Sequence, residues 1–154
     1  MEQLIIHGGA GSLEGKTTEA QKMHDSLCKI WERSFEVLQK GSAENAVRHA
    51  VRMLEDDPVY NAGTGSKLQA DGQKRMSAAL MDGTNNRFSG VINVQNIQNP
   101  IEAAALLSGE KHSILSSAQA TEFCRTKGIP EYNPETEFRQ HEYKSNCAGI
   151  HGTV

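Results

Sequence analysis

A Gly-Thr pair at positions 152 and 153 is the pattern in this chain with the most chemistry in it. A threonine hydroxyl is a weak nucleophile unless a base stands beside it. If the chain is cut between Gly152 and Thr153, the liberated α-amine of Thr153 is that base. It titrates at about 7.7–8.0, so a useful fraction is neutral at physiological pH and can take the hydroxyl proton. Gly152 suits the bond to be broken, because a residue without a Cβ lets the backbone twist. A second candidate is a phosphate loop. Residues Ala10-Gly11-Ser12-Leu13-Glu14-Gly15-Lys16-Thr17 follow the loose Walker A pattern, with Ala10 where a glycine usually stands. Backbone N–H groups would wrap phosphates, Lys16 would reach the terminal phosphates, Thr17 would hold magnesium, and Ala78 to Asp82 would pose as the Walker B strand. Against it, the relaxed pattern arises by chance in roughly one chain of this length in a hundred, and Thr17 to Lys22 lacks the apolar face such a helix needs. The histidines (His7, His24, His49, His112, His141, His151) contain no HExxH and no i, i+4 pair, and no G-x-S-x-G elbow exists.

The elements that must position these groups are readable from spacing. Residues 3–7 are nearly all apolar and predict a short strand buried on both faces, followed by the turn His7-Gly8-Gly9-Ala10-Gly11. Leu27, Ile30, Trp31, Phe35 and Leu38 predict a helix ended by Gly41. Ser42 then caps a second helix, with Ala46, Val47, Ala50, Val51 and Leu54 on one face. After Pro58 the period changes. Ser66 to Ala70, Lys74 to Met81 and Phe88 to Ile97 predict a meander of antiparallel strands turning at Asp71-Gly72 and Asp82-Gly83. Asn99-Pro100 opens a helix to about Ser108, His112 to Leu115 is strand-like, and Ser117 to Lys127 is a helix stopped by Gly128. Residues 129–148 lose period, carry Pro130 and Pro134, and predict a mobile surface linker. Residues 149–154 follow it, and the chain reads as unfinished there.

Composition narrows the class. The chain has 154 residues, 37% hydrophobic and 23% charged, with a net charge of −3. That is one globular domain with a thin core, and neither a nucleic-acid sleeve nor an acidic tail. No apolar run approaches the roughly 18 residues of a membrane span, and the start lacks the basic leader of a signal peptide. The three cysteines, Cys28, Cys124 and Cys147, are widely spaced without a CxxC, which argues against a disulfide framework and for a reducing cytoplasm.

Five blocks occur in order along the chain: His7-Gly8-Gly9-Ala10-Gly11, Leu54 to Ser66 (LEDDPVYNAGTGS), Met81-Asp82-Gly83, Asn99-Pro100 and Gly152-Thr153-Val154. Together they resemble the α-part of the plant-type asparaginases, also called isoaspartyl peptidases, of the N-terminal nucleophile hydrolases. Related glycosylasparaginases and threonine aspartases place Asp before the threonine, so Gly152 favours the plant-type branch. The resemblance implies an α+β fold, half of a four-layer αββα sandwich. Residues 1–128 would form the α-part, 129–148 a flexible linker and 149–154 the autocleavage region, with the β-part absent. It implies self-cleavage at Gly152-Thr153, then hydrolysis of L-asparagine and β-aspartyl dipeptides. Thr153 would be the nucleophile, Asn61 would lie beside it holding its amine or hydroxyl, and Gly8 and Gly9 would support the strained bond. No cofactor is implied for the chemistry. A structural sodium ion would sit on the backbone carbonyls of Leu54, Glu55, Asp57, Tyr60, Ala62 and Thr64.

The family usually has an acid where Ser77 stands, so packing there is expected to differ. Its second threonine, substrate-clamping arginine and aspartate, and oxyanion-hole glycines belong to the absent β-part. The 154-residue chain alone is therefore expected to be inactive, with exposed sheet edges and apolar surface where the β-part should pair, and to work as an (αβ)2 assembly when complete. The rival reading is a small P-loop nucleotide binder using Lys16 and Thr17.

Overall fold

In the computed structural model, which describes residues 2–10 and 17–150, Gly41 and Ser42 separate two packed helices. Helix α1 (Thr17–Lys40) starts well upstream of its apolar spacing and buries Ile30, Ser34 and Leu38, each four residues from the last. Helix α2 (Ala43–Asp56) begins where Ser42 accepts a hydrogen bond from the Asn45 amide at 3.1 Å. Its buried face carries Ala46 and Ala50, whose small side chains let α1 approach closely, and ends on Glu55. Ser34 Oγ and His49 Nδ1 share a hydrogen bond of 3.1 Å across the seam. Trp31 Nε1 donates to the Leu4 carbonyl at 2.9 Å, which ties residues 2–10 to α1. Ile6 packs there on the cluster of Ile30, Ala50 and Tyr60.

The sheet has the order β1-β2-β3. Strands β1 (Met76–Asp82) and β2 (Arg87–Val94) run antiparallel from Met76 opposite Val94 to Asp82 opposite Arg87. Asp82 builds the turn between them: its Oδ1 accepts the Thr84 amide at 2.9 Å, and Asn86 takes the left-handed conformation at φ 51°. Helix α3 (Pro100–Leu107) carries the chain over to β3 (Ile114–Ser116), which pairs parallel to β2, as a parallel neighbour requires a crossover. Helices α4 (Ser117–Thr126) and α5 (Glu137–Ile150) follow. Among the described residues the chain is thus a mixed α+β structure of five α-helices and one three-stranded sheet. None of these helices is long and apolar enough to cross a membrane.

Alternation along the strands sends Met76, Leu80 and Val91 to one face, and the bulge between Met76 and Ala78, with Asn93 at φ 54°, brings Val94 to the same face; Ile97, Ile101, Ala103, Ala104, Leu107, Ala120 and Cys124 complete the core. The other face is open. Met81 stands opposite Phe88, and Ile114 opposite Gly90, and Met81, Phe88, Ile92 and Ile114 are all exposed.

The structure departs from the sequence reading in three places. Residues 3–7 join no ladder, and Ile5 is 93% exposed rather than buried on both faces. A strand needs neighbours on both sides to be buried, and the described residues supply none. Ser66 to Ala70 form no strand either; they run into a tight turn in which the Gln69 amide donates to the Gln73 carbonyl at 2.9 Å. The stretch 129–148, read as an aperiodic linker, contains most of α5, a helix with no apolar stripe whose Arg139 is buried.

Candidate functional site

The loop that leaves α2 at Asp57 and runs to Lys67 is shaped by three local devices. Asp57 Oδ1 accepts the Val59 amide at 3.0 Å while its Oδ2 takes the Ser26 hydroxyl at 2.6 Å, fastening the loop to α1. Gly63 and Gly65 make a single 3-10 turn, Gly63 with φ +48°. A Cβ at Gly63 would overlap the Glu55 carbonyl, and one at Gly65 the Tyr60 carbonyl. Glycine is required there by close approach of main chain to main chain. Lastly, Asn61 Oδ1 accepts the Lys67 amide at 2.9 Å. An amide N–H needs an acceptor, so this bond also fixes which way the Asn61 side chain faces, leaving its NH2 to donate elsewhere.

This loop and the N-terminal segment form the walls of one cleft of about 690 Å³. His7, Gly8, Gly9 and Ala10 line it together with Tyr60, Asn61, Ala62, Lys67 and Arg139. Gly8 is pressed against the loop: a Cβ there would meet Tyr60 Cε1 at 2.9 Å and Leu27 Cδ2 at 3.2 Å. Gly9 has φ +128°, a conformation that side chains disfavour. Gly8, Gly9 and Asn61, named from widely separated blocks of sequence, therefore share one wall-to-wall space. Thr153 and Gly152 lie outside the described residues, as do Gly11 to Lys16 of the phosphate-loop pattern.

The remaining residues named for the site are the carbonyls around the glycine turn. Thr64 O accepts from the Lys74 ammonium at 3.1 Å, Ala62 O from the Gly65 amide at 2.9 Å, and Asp57 O from the Tyr60 amide at 3.3 Å. Each keeps a second lone pair. Lys74 is buried and also donates to the Pro134 carbonyl at 2.6 Å. Burial, reinforced by Arg139 and opposed by Glu135, lowers its pKa below the ordinary lysine value. Among the described residues, no group of three or more His, Cys, Asp or Glu side chains is placed to hold a metal ion.

Sequence reasoning missed the chemistry of the Glu55 side chain. It is 3% exposed; Oε1 accepts the Ile101 amide at 3.0 Å, and Oε2 has no partner. A carboxyl from α2 thus caps α3, the task expected of Asn99, whose Nδ2 instead donates to Asp56 Oδ1 at 2.9 Å. Burial pushes the Glu55 pKa up to about 8, against the lowering effect of the Ile101 amide and the nearby Asn99 side chain. The available signal was its place four residues after Val51, on the apolar face of α2.

The sequence profile described as asparaginase, that of the asparaginase 2 family, matches residues 1–149. The isoaspartyl peptidase/L-asparaginase of Synechocystis is 46% identical over 144 residues, covering 92% of this chain and 43% of that protein. That of Nostoc is 47% identical over 158 residues, covering 96% and 49%. The plant-type L-asparaginase of Pyrococcus horikoshii is 38% identical over 145 residues, covering 94% and 47%. The chain spans about half the length of the curated relatives it matches. These matches leave the nucleotide-binding reading through Lys16 and Thr17 without support. Nearly its whole length being matched by one profile, the chain belongs to the asparaginase 2 family of hydrolases.

Proposed function

We propose that this chain is the N-terminal half of an amidohydrolase that cuts itself between Gly152 and Thr153 and then hydrolyses L-asparagine and β-aspartyl dipeptides. The observation that carries the reading is the cleft in which Gly8, Gly9 and Asn61 meet, in a family member whose sequence runs on to Gly-Thr. The Thr153 hydroxyl attacks the Gly152 carbonyl, the Gly152–Thr153 amide C–N bond breaks to free the α-amine and leave an ester on the Thr153 oxygen, and water hydrolyses that ester. That amine then takes the hydroxyl proton as Thr153 attacks the side-chain amide or isopeptide carbonyl of the substrate. Ammonia or the amino component leaves, and water releases aspartate from the acyl-enzyme. Asn61 donates its NH2 to the threonine amine or hydroxyl, held in orientation by the Lys67 amide. Residues 1–128 act as the α-part and residues 129–148 as the connection to the cleavage region 149–154.

The open sheet face (Met81, Phe88, Ile92, Ile114) and the unladdered residues 3–7 are where a β-part would pack and pair. That would complete a four-layer αββα sandwich, working as an (αβ)2 assembly in the cytoplasm, and it is why the chain alone is inactive. The carbonyls of Leu54, Glu55, Asp57, Tyr60, Ala62 and Thr64 fit a sodium ion, since main-chain oxygens crowded onto Gly63 and Gly65 are hard, neutral donors. Bound there, the ion would brace the loop; no step of the reaction passes through it.

The test is kinetic. In the protein carrying the downstream half, ammonia release from asparagine and cleavage of β-aspartyl-leucine are expected, and both are lost in Thr153→Ala. Unchanged turnover in Thr153→Ala removes the mechanism.

A further inference from the structure

Helix α5 has a polar sequence and no apolar stripe, yet it buries an arginine: Arg139 is 7% exposed. A guanidinium held that far from water needs specific partners. Its Nε donates to the Gly65 carbonyl at 2.6 Å and its Nη1 to Glu142 Oε2 at 2.8 Å. Glu142 Oε1 in turn takes the Lys67 ammonium at 3.0 Å. The Lys67 amide donates to Asn61 Oδ1, and the Gly65 amide donates to the Ala62 carbonyl. The bonds therefore close a circuit. Starting at Asn61, it passes through Lys67 to Glu142 and Arg139 on α5, and returns through Gly65 to Ala62, the neighbour of Asn61. Burial raises the Glu142 pKa, but Arg139 and Lys67 outweigh it, so the carboxylate stays charged within the circuit. Two further bonds lie outside it: Lys74 to the Pro134 carbonyl, and the Tyr143 hydroxyl to the Ala70 carbonyl at 3.1 Å.

We propose that Arg139 is a positioning residue that locks the Asn61 loop to α5, so that the side chain facing the nucleophile and the segment leading to residue 152 are held as one body. The inference rests on the reading of Thr153 as nucleophile and deepens it by naming what registers Asn61 against the cleavage region. A planar fork that reaches a carbonyl through Nε and a carboxylate through Nη1 at fixed spacing explains the use of arginine; a lysine ammonium has no such fixed geometry.

The experiment uses the protein made with its downstream half and reads two quantities in Arg139→Met, Arg139→Lys and Glu142→Gln. The first is hydrogen exchange at the Lys67 amide. Arg139→Met is expected to speed it by about tenfold, with the amides of α1 and α2 unchanged. The second is self-cleavage at residue 152, followed by intact mass, which is expected to slow by about tenfold or more as Asn61 loses its register. Arg139→Lys is expected to fall between wild type and Arg139→Met in both. Lys67 exchange and cleavage both within about twofold of wild type in Arg139→Met overturn the proposal. So does faster Lys67 exchange with cleavage unaffected, which is a purely structural role. If Arg139→Met also loosens α1 and α2, Glu142→Gln decides instead, because it keeps the bond to Gly65: about threefold faster Lys67 exchange supports the circuit, and none overturns it. Thr153→Ala separates this inference from the reading beneath it. Scission persisting in that variant refutes Thr153, whereas Lys67 exchange, which needs no scission, still judges Arg139.

Discussion

Replacing Glu55 by glutamine should make the protein more stable, increasingly so as pH rises. The carboxyl is buried and its pKa is lifted from 4.5 to about 8, so it keeps its proton in the folded protein at neutral pH while the unfolded chain has lost it. The folded value lies above the unfolded one. The stabilising contribution is therefore complete below pH 4.5, declines as the unfolded chain ionises, and is exhausted once pH passes about 8. At about 1.36 kcal/mol for each pH decade, the whole span is worth about 5 kcal/mol at most, and about 3 kcal/mol of it is already lost at pH 7. Glutamine has the same shape and its oxygen can still accept the Ile101 amide, so the cap on α3 survives while the titration disappears. Urea unfolding followed by circular dichroism, for wild type and Glu55→Gln between about pH 5 and pH 8, gives the difference curve in which all other groups cancel. The difference should grow with pH, reaching about 1–3 kcal/mol in favour of Glu55→Gln at the upper end. Parallel curves would show that Glu55 is ionised in the fold and that the buried-acid argument is wrong.

Gly8→Ala should cost about 1–3 kcal/mol, because its methyl would stand 2.9 Å from the Tyr60 ring at the cleft wall; an unchanged melting temperature would deny the close approach. Asn61→Ala should slow both self-cleavage and asparagine turnover while leaving the fold intact, as time courses of cleavage and ammonia release would read. Normal rates of both would exclude Asn61 from the site. Raising sodium chloride at constant ionic strength, with choline chloride as balance, should raise the melting temperature if the carbonyl set around Gly63 and Gly65 holds the ion. Equal melting in the two salts speaks against it.

The elements most legible in the sequence were those whose ends are set locally. Gly41-Ser42 marks the break between α1 and α2, Pro100 the first turn of α3, and Asp82 the hairpin turn, each through chemistry confined to a few residues. What depends on distant partners was hidden. Leu4, Ile5 and Ile6 read as a doubly buried strand, but a ladder needs a neighbouring chain, and spacing within five residues cannot say whether one is present. Helix α5 was invisible to periodicity because polar bonds to the loop hold it: Arg139 to Gly65, and Glu142 to Lys67. Glu55 was hidden differently. In Glu55-Asp56-Asp57 the three acids look alike in type, and beyond the spacing of Glu55 from Val51 it is the packing of α3 on α2 that singles out the first as the buried one. For the site, the resemblance named Gly8, Gly9 and Asn61, and the structure gathers them around one cleft; it named no role for Arg139.

The most direct test is the intact mass of the protein expressed with the half that its relatives carry, compared with the same protein bearing Thr153→Ala. The account predicts two polypeptides, the second beginning at Thr153 and the pair together heavier than the precursor by one water, and a single uncut chain in the variant. One unbroken polypeptide that hydrolyses asparagine at full rate would contradict it.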